Sequence, residues 1–150
     1  MNSSTLPVPG LCWGQYPERS EPVGLRQWRR APPLAWGWPG GRRGRAEQAA
    51  RQATALRDLS AQAFAAQGEA LRQSMLQHGW RHDVLVQACA HAAEGARRSL
   101  GWMAYVEQLM ATLALLDNQM AEMATGEGKS LAAALAAGVG ALAGIPVHVL

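Results

Sequence analysis

The chain has 150 residues, enough for about one domain. Fourteen lysines and arginines against eleven acids leave a net charge of +3, too small to name a nucleic acid or a membrane as partner, and an apolar fraction of 49% excludes a wholly disordered chain. Two cysteines, Cys12 and Cys89, exclude a disulfide scaffold and fit a reducing, cytosolic setting, and the first thirty residues contain no apolar run of signal-peptide length.

The composition changes near residue 45. Residues 1–45 hold seven of the eight prolines, four of the six tryptophans, seven arginines and two acids, whereas residues 46–150 hold seven bases and nine acids. Pro7 to Pro39 interrupt any helical or alternating pattern, so residues 1–45 are predicted to be a disordered, solvated tail. Its arginines and tryptophans, as in Trp28-Arg29-Arg30, Trp36-Gly37-Trp38 and Arg42-Arg43-Gly44-Arg45, also suit docking on anionic lipid; no nucleic acid is expected.

From Ala46 the spacing becomes helical, with Leu56, Leu59, Phe64, Leu71 and Met75 on a recurring face. Ser60 is the expected N-cap that divides two helices, and Gly79 ends the second. Asp83 as N-cap, a stripe of Leu85, Cys89, Ala92 and Ala96, the cations Arg97 and Arg98 and a closing Gly101 predict a third helix. A fourth is predicted from Ala104 to Leu116, with Val106, Leu109, Met110 and Leu113 inward, before a turn at Asp117-Asn118.

Three groups read as structural. His78, His82, His91 and His148 lack metal-ligand spacing, and Cys89 lies on an apolar stripe as a small hydrophobe. The uncharged run Leu131 to Val147 is short for a membrane span, rich in alanine and glycine and broken at Gly144-Ile145-Pro146, so it reads as a buried helix and a turn.

The chemistry concentrates at Thr125-Gly126-Glu127-Gly128-Lys129-Ser130, which matches the Gly-Lys-Ser/Thr end of a phosphate-binding loop, with Met123 at the usual first glycine. Gly126 and Gly128 allow positive φ, which turns backbone N–H groups toward phosphate oxygens, and a helix starting near Lys129 adds the positive end of its dipole. Lys129, the only lysine, would reach the β and γ phosphates as the catalytic cation, and the Ser130 hydroxyl would enter a Mg²⁺ shell. Residues 119–123 are expected as the strand entering the loop, and residues 147–150 as a second, buried strand.

These residues resemble the N-terminal part of SecA, the ATPase motor of bacterial preprotein translocation. Met120-Ala-Glu-Met-Ala-Thr-Gly-Glu-Gly-Lys-Ser130 is similar to that family's Ile-Ala-Glu-Met-(Arg/Lys)-Thr-Gly-Glu-Gly-Lys-Thr, including its methionine at the first loop position. Ala93 to Gly101 resembles the family's Arg-Glu-Ala-Ser/Ala-Arg/Lys-Arg-Val-x-Gly helix end, Tyr105 to Leu109 its Phe/Tyr-Asp-Val-Gln-Leu, and Ala141 to Val149 its Ala-Leu-x-Gly-x-x-Val-His-Val. The likeness covers residues 55–150 and is strongest from 88 onward.

The resemblance implies an α/β fold: the incomplete start of a RecA-like nucleotide-binding domain, with a helical lead-in over 46–116, strand and loop over 119–130, a helix over 130–143 and a strand over 147–150. It implies ATP and Mg²⁺ as cofactors, held by Gln108, Thr125, Gly126, Glu127, Gly128, Lys129 and Ser130, with Gln108 on the adenine edge. Met103-Ala104, Val106 and Ala111-Thr112 depart from the family's Arg-His, Asp and Gly-Gly, which predicts a reshaped base pocket in a divergent relative. The implied partners are unfolded preprotein and a membrane channel, at the cytoplasmic face of the inner membrane. A superfamily-2 helicase fragment and a non-catalytic pseudo-motor are the alternatives. With no acid pair for Mg²⁺ and no second lobe before Leu150, the chain is expected to be a fragment that binds ATP weakly or undetectably and does not turn it over alone.

Overall fold

The computed structural model describes residues 41–149, so the tail prediction for residues 1–40, and Leu150 at the end of the second expected strand, lie outside the described residues. Five helices are described: α1 (Gly41–Ala55), α2 (Ala61–His78), α3 (His82–Leu100), α4 (Val106–Leu116) and α5 (Lys129–Leu142). α1 begins at Gly41, just after the last breakers Pro39 and Gly40, and not at Ala46. Its first turns are anchored: Arg45 is buried with Ala46 and Ala49, and both Arg42 and Arg45 reach the carboxylate of Asp117 at 3.5 Å.

The expected stops and starts largely hold. The Ser60 hydroxyl accepts the Ala63 N–H at 3.2 Å, Gly79 ends α2 at φ 71°, and Gly101 ends α3 in the left-handed conformation. Arg81, not Asp83, occupies the N-cap of α3; Asp83 sits in the first turn, where its negative charge still complements the positive end of the helix dipole. α4 starts at Val106, two residues later than its periodicity predicts, because the Tyr105 N–H turns to the Gln108 carboxamide oxygen.

α3 is the centre of the bundle, packed by α1, α2 and α5, while α4 lies against α1 and α5. A helix with neighbours on several sides buries more than one stripe. Val84, Val86, Ala88, Ala90 and Ala93 therefore join Leu85 and Cys89 in the core, and Ala92 and Ala96 are only partly covered. Leu109 and Leu113 of α4 and Leu135 and Val139 of α5 complete it. Burial pushes the Cys89 thiol up to about 12, so it stays protonated and acts as a small apolar group.

α2 joins α3 through rings and charges. The His91 ring stacks on Phe64 at 3.9 Å, and the Arg98 guanidinium lies 4.3 Å from the same ring's centre. Gly68 lets the two helices close here: a β-carbon on it would stand 2.7 Å from His91 Nε2. Gly68→Ala should therefore lower the thermal midpoint, the clash of about 1–3 kcal/mol exceeding alanine's helix advantage of about 1 kcal/mol. A raised midpoint in a melting experiment would show that the His91 ring gives way freely.

The two expected strands are not present. Residues 119–124 and 145–149 form no β-ladder, and the described residues contain no strand at all. A strand exists through hydrogen bonds to a neighbouring strand, and neither segment has one among the described residues. Met120 is 96% exposed and Val149 70%, so the faces that a sheet would bury are uncovered. After α5 the chain turns back in a Schellman motif: Gly144 takes φ 74°, its N–H reaches Ala141 O and the Ile145 N–H reaches Gly140 O. The Val147 side chain then fills the place a Gly140 β-carbon would need, at 2.8 Å. No helix among the described residues is long and apolar enough to cross a membrane, as expected for Leu131 to Val147.

Candidate nucleotide-binding loop

The loop between Ala124 and Gly128 is built from its glycines. Ala124 to Glu127 form a β-turn in which the Glu127 N–H reaches Ala124 O at 3.3 Å; Gly126, at φ 89°, supplies the positive φ that a type II turn needs at its third position. Gly128 takes φ 80° as N-cap of α5, and the helix hydrogen bonds begin with Leu131 and Ala132 N–H on its carbonyl. Lys129 and Ser130 thus occupy the first turn, whose N–H groups have no partner within a helix, and both side chains are exposed. Backbone N–H donors, a helix dipole, an ammonium and a hydroxyl converge on one end of α5, a donor set that fits a phosphate group with a bound Mg²⁺.

Gln108 is placed beside this loop from 20 residues upstream. It is buried on the first turn of α4, and its amide nitrogen donates to the Glu127 carbonyl at 2.6 Å while its oxygen accepts the Tyr105 N–H at 2.7 Å. A β-carbon on Gly128 would meet the same amide at 3.1 Å. The predicted adenine residue therefore stands at the loop, with one N–H and one lone pair left to offer a ligand. One turn further along α4, the buried Thr112 hydroxyl lies 2.8 Å from Gln108 O and 3.2 Å from Ala132 O, tying α4 to α5. Thr125 is exposed on the turn and makes no side-chain hydrogen bond among the described residues.

Two features were not foreseen. Arg42, read as part of a lipid-docking cluster, donates to the Gln119 side chain at 2.6 Å and pairs with Asp117, and Arg43 pairs with Glu47 at 3.0 Å on its own helix. The first turns of α1 thereby hold the segment that enters the loop. Glu127, expected to bind cofactor, turns its carboxylate onto the Ala124 N–H at 2.8 Å. Nothing in the spacing of the sequence marks the first contact, which joins residues 77 positions apart. No group of three or more His, Cys, Asp or Glu side chains among the described residues could hold a metal ion.

The family model of the SecA DEAD-like domain matches residues 42–150, which includes every helix but the first residue of α1. The chain belongs to that family. Translocase subunit SecA 2 of Thermobifida fusca is 54% identical over 68 residues, 45% of this chain and 9% of that protein. SecA of Beijerinckia indica is 41% identical over 95 residues, 63% of this chain and 10% of that protein, and SecA 2 of Nitrosospira multiformis 36% over 105 residues, 70% and 16%. The chain thus spans less than a fifth of the length of these SecA relatives. No solved structure matches it. ATP binding and protein transport are properties of the SecA family as a whole.

Proposed function

We propose that the chain supplies the phosphate-binding part of the first, RecA-like lobe of an ATP-driven protein translocation motor. The observation that carries this reading is the loop itself, two glycines at positive φ delivering Lys129 and Ser130 to the start of an apolar helix, with Gln108 locked against it. In this role Lys129 sets its charge against the β and γ phosphates, the Ser130 hydroxyl faces Mg²⁺, and the remaining N–H and lone pair of Gln108 meet the adenine edge. Bound Mg²⁺ would neutralise charge developing on the transferred phosphoryl group. The relatives' names support translocation of protein over unwinding of nucleic acid, and unfolded preprotein and a membrane channel are the partners that follow.

The loop N–H groups are aimed by few contacts, and Met120 and Val149 are exposed with no strand beside them among the described residues. Binding by this chain alone is accordingly weak, and it does not hydrolyse ATP above background. Titration of the 150-residue chain with MgATP, followed by amide NMR, tests the reading. The Gly126, Gly128, Lys129 and Ser130 signals are expected to shift at millimolar nucleotide, and Lys129→Ala to weaken this at least about tenfold, 1.4 kcal/mol, with unchanged helicity. Equal shifts in Lys129→Ala, or none in either protein, would overturn it.

A further inference from the structure

We infer that Glu127 is a positioning residue of the phosphate loop, a latch whose carboxylate holds the Ala124–Glu127 turn closed and keeps its own charge away from the phosphate site. This rests on the loop reading above. The residue is held by three hydrogen bonds: its N–H donates to Ala124 O, its carboxylate accepts from Ala124 N–H, and its carbonyl accepts from the Gln108 amide. Both backbone groups of Ala124 therefore bond to Glu127, and the turn is closed reciprocally, by main chain and by side chain.

The chemistry gives the side chain a purpose that simple loop closure does not. A carboxylate two residues before Lys129 would repel phosphate oxygens, or take the lysine's charge for itself, if it swung toward the start of α5. No Glu127–Lys129 ion pair is present among the described residues; the carboxylate is spent on an N–H at the far, entering end of the loop. A carboxylate accepting a backbone N–H forms one of the stronger hydrogen bonds available to an exposed turn, so the site that repels least is also the one that best fixes the turn. The N–H groups of Gly128, Lys129 and Ser130 remain for the ligand.

Comparing Glu127→Ala with Glu127→Gln isolates the latch from the charge, because both variants are neutral and only glutamine keeps an oxygen for the Ala124 N–H. In the 150-residue chain without nucleotide, amide–water exchange of Ala124 is expected to be roughly fivefold faster in Glu127→Ala than in Glu127→Gln, with equal helicity. With MgADP, Glu127→Ala is expected to bind several-fold more weakly than Glu127→Gln. Equal Ala124 exchange, or equal MgADP affinity in the two variants, overturns the latch. A wild-type chain whose MgADP response is the same as that of Lys129→Ala overturns the loop reading instead, and the exchange comparison then still decides whether Glu127 closes the turn.

Discussion

Asp117→Ala is expected to destabilise the folded chain by about 3–5 kcal/mol, as removal of one partner from a buried ion pair does. The Asp117 side chain is wholly buried and Arg45 is 4% exposed, so the substitution leaves a guanidinium inside the fold without a counter-charge. The pair meets at 3.5 Å, and neither Asp117 oxygen has a hydrogen bond among the described residues. Attraction between charges, not close hydrogen bonding, therefore holds Arg45 to Asp117. A chain beginning at residue 46 lacks Arg42 and Arg45 together and should lose comparable stability, whereas the double change Arg45→Met with Asp117→Leu should recover most of it by replacing the charges with apolar volume. Urea midpoints check all three. A loss below about 1 kcal/mol for Asp117→Ala would mean that Arg45 escapes to solvent.

Glu94→Ala should cost about 2–3 kcal/mol, roughly 10–15 °C in thermal midpoint, through the loss of charged hydrogen bonds in a partly covered network. Glu94 is 1% exposed on α3, takes two hydrogen bonds from Arg97 at 2.8 Å and one from Arg98 at 2.7 Å. Arg98 in turn donates to the carbonyls of Leu56 and Leu59 at 2.9 and 2.8 Å, closing the turn between α1 and α2. Without the carboxylate, Arg98 is no longer aimed at those carbonyls.

The same network fixes a pH dependence. Hydrogen bonds from Arg97, joined by one from Arg98, hold the Glu94 carboxyl at about 2, below its ordinary 4.5. The unfolded chain thus takes up this proton first, so the contribution is complete above about pH 4.5 and is lost as the pH falls toward 2. Burial, and then Arg98, push His91 below its ordinary 6.5, and burial and Arg45 do the same to His82. Histidines lowered in the fold also favour the folded chain at high pH, and that share starts to fade below 6.5. Stability should therefore fall in two stages on acidification, and Glu94→Gln should remove the lower one. Midpoints measured between pH 7 and pH 3 check this; an unaltered lower stage would assign it to other carboxylates.

Much of the chain's organisation is legible without coordinates. Ser60, Gly79 and Gly101 punctuate helices through local backbone chemistry, which depends only on neighbours in sequence, and the Gly-Glu-Gly-Lys-Ser spacing determines a glycine turn followed by an apolar helix for the same reason. Other features were decided by tertiary structure. The arginines of the first turns of α1 read as a solvated cluster until Asp117, more than 70 positions away, gives Arg42 and Arg45 a buried partner. Gln108 reads as a polar position on a helix, yet packing of α4 against α5 delivers its amide to the loop. The expected strands at 119–123 and 147–150 needed a neighbour with which to hydrogen-bond. A strand's apolar pattern is local, but its ladder is not, and among the described residues these segments remain open while the charges around them close.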